Sequence, residues 1–228
     1  MNNRRHFLET LAISSAATSL GLTSLGAQAQ SAAWPSQPLK IVVPFPAGGT
    51  SDVIARIISN ALGELLKATV VVENRTGANG SVGAGFVAQA TDGHTMLLSD
   101  MSSVATAPLI IKDLPFKPTD LQGVTMLAYS PHMLVATPSA PFNTIKEMVE
   151  FSKKTKLNVA SSGTGSANHL GMAEIAQLTG MKWQHVPYRG GAQSIADTAS
   201  GVTHVVLNGM LATLPLVVTD LPFGPVVD

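Results

Sequence analysis

Lys40-Ile41-Val42-Val43-Pro44-Phe45-Pro46-Ala47-Gly48-Gly49-Thr50-Ser51-Asp52 reads as a short apolar strand that runs through a glycine turn into the first turn of a helix. The opening N–H groups of a helix have no internal partner and sit at the positive end of its macrodipole, so such a turn attracts an anion. Gly48 and Gly49 remove the side chains that would block approach. The same residues also suit a plain strand-to-helix turn.

Working outward, Pro35 and Pro38 mark a linker, and Leu39 to Val43 is a nearly continuous apolar run, as expected of a strand covered on both faces. Downstream, Ile54, Ile57, Ile58, Ala61, Leu62 and Leu65 recur at helical spacing, with Arg56, Asn60 and Glu64 opposite. Ser51 or Asp52 is placed to cap that helix. Thr69 to Val72 supplies a second strand, so the opening unit is strand, helix, strand, which implies a parallel sheet.

The glycines between Gly77 and Gly85 lack the spacing of a dinucleotide fingerprint, and no Lys-Ser or Lys-Thr follows for a phosphate loop. They read as a surface loop leading into a short helix from Val82 to Ala90. A strand from Thr95 to Ser99 then delivers Ser99, Ser102 and Ser103 beyond its carboxyl end, where open α/β sheets hold ligands. Apolar runs at Val124–Tyr129 and Met133–Ala136, separated by Pro131 and His132, read as two strands crossing between lobes, and a simple bend fits them equally well.

The second half repeats the grammar. Thr144 with Glu147 forms a capping-box pattern before a helix to Lys153, and Leu157 to Ala160 is a strand. Ser161-Ser162-Gly163-Thr164-Gly165-Ser166 is another glycine and hydroxyl turn opening a helix. Lys182 to Val186, a helix from Gly191 to Ser200, and Val202 to Leu207 ending at Asn208 complete the pattern. Two anion-friendly turns facing one cleft would grip a ligand from both sides, as hinged two-lobed binding proteins do.

The chain has 228 residues, with 14 basic and 14 acidic side chains and no cysteine. Zero net charge without a Lys/Arg cluster argues against nucleic acid or an anionic membrane as partner, because both need a concentrated positive field. The absence of cysteine removes disulfides and thiolate chemistry. Arg4 and Arg5 precede a weakly apolar run that closes at Ala27-Gln28-Ala29, an export signal cleaved near Ala29 whose arginine pair suits the twin-arginine route and equally an ordinary positive n-region. The run is too short and too rich in serine and threonine to span a bilayer.

Taken in order, Val43-Pro44-Phe45-Pro46-Ala47-Gly48-Gly49-x-x-Asp52, Val72-Glu73-Asn74-Arg75-x-Gly77-Ala78-x-Gly80-x-x-Gly83, Asp92-Gly93-x-Thr95-x-Leu97-Leu98, Ser162-Gly163-x-Gly165-Ser166-x-x-His169-Leu170 and His185-Val186-Pro187-Tyr188-Arg189-Gly190-Gly191-Ala192 resemble the substrate-binding receptors of tripartite tricarboxylate transporters, the Bug family. The resemblance implies an α/β, two-lobed periplasmic binding protein of the type II, Venus-flytrap kind. Such a protein captures a small carboxylate (a di- or tricarboxylate, an amino acid or an aromatic acid) and delivers it to a membrane permease. It implies a monomer, with no cofactor, no metal and no catalytic residue.

By the same resemblance the ligand meets Phe45, Pro46, Ala47, Gly48, Gly49, Thr50 and Asp52 from the first turn. From the second it meets Ser161, Gly163, Thr164, Gly165, Ser166 and His169. Asn208 stands where the family often places an acidic residue for the ligand's far end. The expected organisation is a signal at 1–29, lobe 1 at 36–131, lobe 2 at 132–216 and an atypical tail at 217–228. Two departures stand out. His204 replaces a common aspartate, and the tail does not resemble the segment that returns to complete lobe 1, which implies truncation and an incomplete first lobe.

Two other readings compete. A truncated, non-functional remnant of such a receptor would carry the same motifs. A secreted α/β enzyme has less support: there is no Gly-x-Ser-x-Gly elbow and no zinc-type histidine pair, and His169 near Ser166 is better read as a histidine bonding its own loop.

Overall fold

The computed structural model describes residues 34–218; the export signal expected at 1–29 and nearly all of the tail expected at 217–228 lie outside the described residues. The first sheet comprises β1 (Leu39–Val43), β2 (Val70–Asn74) and β3 (Thr95–Leu97), with α1 (Thr50–Leu66) and α2 (Ser81–Ala88) between them. All pairs are parallel in the order β2-β1-β3, and Ile41 sits opposite Val72 on one side and Met96 on the other. The central strand is therefore β1. On one face Ile41, Val43 and Phe45 pack with Ala55, Ile54, Ile58 and Leu62 of α1. Val42 points to the other face and is fully buried as well, and α2 also packs on β1. Burial on both faces is why this strand reads as unbroken apolar sequence.

Two sequence expectations need correction. The buried stripe of α1 is narrower than its apolar spacing suggests: Asp52, Ala55 and Ser59 are its buried residues. Ile57 is 63% and Leu65 77% exposed, and Ala61 is exposed too. A helix laid on one sheet face buries an arc of roughly 100° or somewhat more, and these residues fall outside it. Second, Val124–Tyr129 is not a strand. Among the described residues no strand pairs with it, and Val124 and Tyr129 are 88% and 84% exposed; β-propensity without a partner does not make a strand.

After β3 the chain enters a π-helical turn, Ser102–Thr106, and a short α3 (Ala107–Ile110). The second sheet follows: β4 (His132–Ala136), β5 (Leu157–Ser161), β6 (Trp183–Pro187) and β7 (Val205–Gly209), ordered β4-β7-β5-β6. Only β4 runs antiparallel, placing His132 opposite Gly209 and Met133 opposite Asn208. Its helices are α4 (Ile145–Lys154), α5 (Ala167–Thr179), α6 (Gly191–Ala199) and α7 (Met210–Val218). One core holds Phe142, Met148, Leu157, Val159, Met172 and Val205; Val135, Ala160 and Val206 form a second. The expected cap of α4 is present: Glu147 N donates to Thr144 Oγ1 at 3.2 Å, while Asn143 N donates to Glu147 Oε2 at 2.7 Å.

The departure at His204 also has a structural answer. Asn158 N donates to His204 Nδ1 at 2.9 Å. That imidazole nitrogen is an acceptor, the service a carboxylate at this position would supply.

Candidate functional site

The carboxyl ends of β1, β3, β5 and β7 converge, and a cavity of about 290 Å³ lies among them. From the first sheet it is lined by Phe45, by Gly49, Thr50 and Ser51 at the start of α1, and by Leu97 at the end of β3 with Leu98 to Asp100 beyond it. From the second it is lined by Ser162, Asn168, Gly191, Asn208, Gly209 and His132. Thr125 to Ala128 and Ser130 close another side. This is where an open α/β sheet presents a ligand site.

α1 starts at the cavity with Gly49 as its N-cap and no side chain capping it. Neither Ser51 nor Asp52, the two expected caps, caps it; Asp52 turns back instead. Its carboxylate accepts from Gly48 N at 2.9 Å, from Arg56 Nε and Nη2 at 3.0 Å each and from Asn74 Nδ2 at 2.9 Å. Asn74 Nδ2 also donates to Phe45 O at 3.0 Å. Burial pushes the Asp52 carboxyl up, but the hydrogen bonds from Arg56, Gly48 and Asn74 outweigh it and hold the group below the usual carboxylate range. Asp52 therefore fixes the shape of the turn from behind, leaving the opening of α1 free of any side-chain acceptor. α6 likewise begins at the cavity without a side-chain cap.

The second turn is arranged differently. Ser166 Oγ accepts from His169 N at 3.3 Å, Gly165 N donates to His169 Nδ1 at 3.2 Å, and Ala167 N donates to Ser102 Oγ at 3.3 Å. Several of the hydroxyls and N–H groups that the sequence offers to an anion here are bonded within the protein. His169 stacks on His185 with ring centroids 3.9 Å apart, and His185 Nε2 lies 2.7 Å from Ser161 Oγ. Desolvation, reinforced by His169, lowers His185 to about 4.

Of the residues expected at the ligand, Phe45, Gly49, Thr50, Ser99 and Asn208 line the cavity among the strand ends. Gly163 and Thr164, again with Phe45, line a separate cavity of about 680 Å³ that includes Asn79 and Arg189. Pro46, Ala47, Gly48, Asp52, Ser102, Ser161, Gly165, Ser166 and His169 line neither. Ser103 touches Ser99 through their hydroxyls.

Sequence reasoning passed over Asp100, Ser130, His132, Asn168 and Gly191. Gly190-Gly191 was the legible signal, since it repeats the glycine-then-helix pattern of Gly48-Gly49. Asn168 was not legible, because its role depends on a contact across 40 residues: Asn168 Nδ2 donates to Asn208 Oδ1 at 3.2 Å, and Ser162 Oγ donates to Asn168 Oδ1 at 2.7 Å. That relay occupies the Asn208 carbonyl and leaves its amide donor turned loose. Asn208 is 6% exposed, and Asn208 Nδ2, Thr50 Oγ1 and Ser130 Oγ are buried without a hydrogen-bond partner. Such groups are costly unless something fills the cavity.

The profile of the tripartite tricarboxylate transporter family receptor matches residues 54–224. The chain belongs to that receptor family. As a member, it is 36% identical over 179 residues to a UPF0065 protein of Bordetella pertussis, covering 77% of its own length and 55% of that relative's. To BugT of the same organism it is 34% identical over 187 residues, covering 79% and 57%. The chain thus spans little more than half the length of these relatives. Among solved structures, R. palustris Rpa4515 with adipate superposes with a TM-score of 0.81 at 30% identity, over 85% of this chain and 66% of that one. MatC from Rhodopseudomonas palustris with bound malate gives 0.74 at 26%, over 81% and 64%. The fold is the α/β fold of periplasmic binding proteins, and the family is one of receptors rather than enzymes. No described helix is long and apolar enough to cross a membrane, and no group of metal-binding side chains occurs among the described residues.

Proposed function

We propose that the chain is a periplasmic solute-binding receptor that captures a small carboxylate between two lobes, 36–131 and 132–216, and hands it to the membrane permease of a tripartite tricarboxylate transporter. In this reading residues 1–29 are the export signal and the receptor works as a monomer. The observation that carries it is the buried, unpartnered Asn208 Nδ2 beside Thr50 Oγ1, at the uncapped start of α1. Two donors and a helix N-terminus aimed into one cavity suit the oxygens of a carboxylate. The adipate and malate of the structural neighbours are carboxylates, which supports the same class.

The test is thermal denaturation of the full chain with a panel of small mono-, di- and tricarboxylates and amino acids. A ligand at about 100 times its dissociation constant adds about 2.7 kcal/mol of stability, a clear rise in midpoint. No rise with any member of the panel defeats the proposal.

A further inference from the structure

Two helices of the second sheet, α5 and α6, begin at the cavity through Asn168 and Gly191, and only one of the two starts is already engaged. At α5, Ser166 Oγ accepts from His169 N, Gly165 N donates to His169 Nδ1 and Ala167 N donates to Ser102 Oγ. Of residues 161–166 only Ser162 lines the cavity, and its hydroxyl donates to Asn168 Oδ1. α6 has Gly190 as its N-cap and no side chain capping it. The opening N–H groups of such a helix have no partner within it.

The start of α6 is packed against the turn that opens α1. A Cβ at Gly190 would lie 2.5 Å from Pro46 Cδ and 2.9 Å from Pro46 Cγ, and one at Gly48 would lie 3.6 Å from Ala192 Cβ. At the end of β7, Gly209 abuts Thr50 while the preceding Asn208 lies against Gly191, where a Cβ would be 2.9 Å from Asn208 Nδ2. Asn208 is 6% exposed and that Nδ2 has no hydrogen-bond partner. A buried, unpaired donor is therefore seated at the opening of α6, in the cavity onto which α1 also opens.

Neither lysine nor arginine lines this cavity. A helix N-terminus carries roughly half a positive elementary charge. One helix start leaves half of a carboxylate's charge unmet, and two starts together match it.

Resting on the receptor reading above, we propose that the start of α6, and not the turn at 161–166, is the second jaw of the site. The carboxylate of the ligand lies between the starts of α1 and α6 and accepts from the backbone N–H groups of Gly191 and Ala192 as well as from Asn208 Nδ2 and Thr50 Oγ1. Gly190 is a positioning residue. Without a side chain it seats Pro46, and so lets the two helix starts come close enough to share one carboxylate.

The experiment is titration of the 15N-labelled full-length chain with acetate, succinate, adipate, citrate and glutamate, read by amide chemical shifts. The amides of Gly191 and Ala192 are expected to move with those of Thr50 and Ser51 along one saturation curve, while Gly165 and Ala167, bonded within the protein, move far less. Gly190→Ala is the companion variant. Gly190 has φ 168°, extended backbone that alanine adopts, so the change adds only the clash with Pro46. It is expected to weaken binding of the tightest of the five probes at least about tenfold, the scale of one charge-assisted hydrogen bond. Adding Pro46→Ala to Gly190→Ala is expected to recover most of that loss, a coupling that general damage does not produce. Should Gly190→Ala fold poorly, the wild-type shifts decide alone. Shifts at Gly163 to Ser166 with Gly191 and Ala192 unmoved, or wild-type affinity in Gly190→Ala, overturn this inference and leave the receptor reading standing. No amide response to any of the five probes overturns both.

Discussion

Asn168 Nδ2 donates to Asn208 Oδ1 at 3.2 Å inside the cavity wall, and this bond decides which end of the Asn208 amide meets a ligand. The carbonyl is occupied and the NH2 group is free and buried. Asn208→Asp keeps the shape but replaces the donor with an acceptor. It is expected to weaken carboxylate binding by about tenfold or more in calorimetry, because a buried anion then faces a second anion. Unchanged or tighter binding would mean that the free end is the acceptor.

Gly191 opens α6 against that amide. A Cβ there would lie 2.7 Å from Asn208 Oδ1 and 2.9 Å from Nδ2, too close for either atom to stay in place. Gly191→Ala is therefore expected to displace the Asn208 side chain and lower ligand affinity several-fold, with a much smaller effect on thermal stability because alanine favours helix over glycine by about 1 kcal/mol. Parallel calorimetry and thermal melts check this; equal loss in both would point to general damage.

Asp52 should matter to stability more than to ligand chemistry. Its side chain is 4% exposed and pairs with Arg56, which is 54% exposed, so solvent screens part of the ion pair. Losing the Gly48, Asn74 and Arg56 bonds together in Asp52→Ala is expected to cost about 2 kcal/mol in denaturant unfolding. A cost near zero would show that the turn from Phe45 to Asp52 holds its shape without them.

Acid should loosen the second turn before the first. His185 is lowered to about 4, against an unfolded value of about 6.5. The unfolded chain therefore binds more protons between those limits, so stability is fully present above about pH 6.5 and falls as pH drops towards 4. His169, stacked on His185 and lowered by desolvation, acts in the same direction. Asp52, held below the usual range, withdraws its contribution only at lower pH still. His185→Gln is expected to flatten the fall between pH 6.5 and 4 in thermal melts; an unchanged slope would assign the acid sensitivity elsewhere.

Much of this fold was readable in the sequence because local signals agreed. Leu39–Val43 carries the continuous apolar pattern of a strand buried on both faces, and it is the central strand. Thr144 and Glu147 announced α4, and the glycine turns marked where helices begin. What misled was periodicity without context. Ile57 and Leu65 share a spacing with Ile58 and Leu62 yet lie outside the arc that meets the sheet, and Val124–Tyr129 has strand composition but no pairing strand among the described residues. The site was half legible for a related reason. Thr50 and Asn208 stand at the ends of recognisable elements, whereas the bonds that Asp52, Ser166 and His169 make within the protein depend on the folded turns and are not visible in the sequence. Asp100, His132 and Asn168 acquire meaning only when two sheets bring their strand ends together.

The most direct measurement of the central claim is a crystal structure of the full chain with a carboxylate that raises its melting temperature. The carboxylate oxygens are expected within hydrogen-bond distance of Asn208 Nδ2 and Thr50 Oγ1, at the start of α1, in the cavity shared by the two sheets. A carboxylate held instead among Asn79, Thr164 and Arg189 in the separate cavity would contradict the claim.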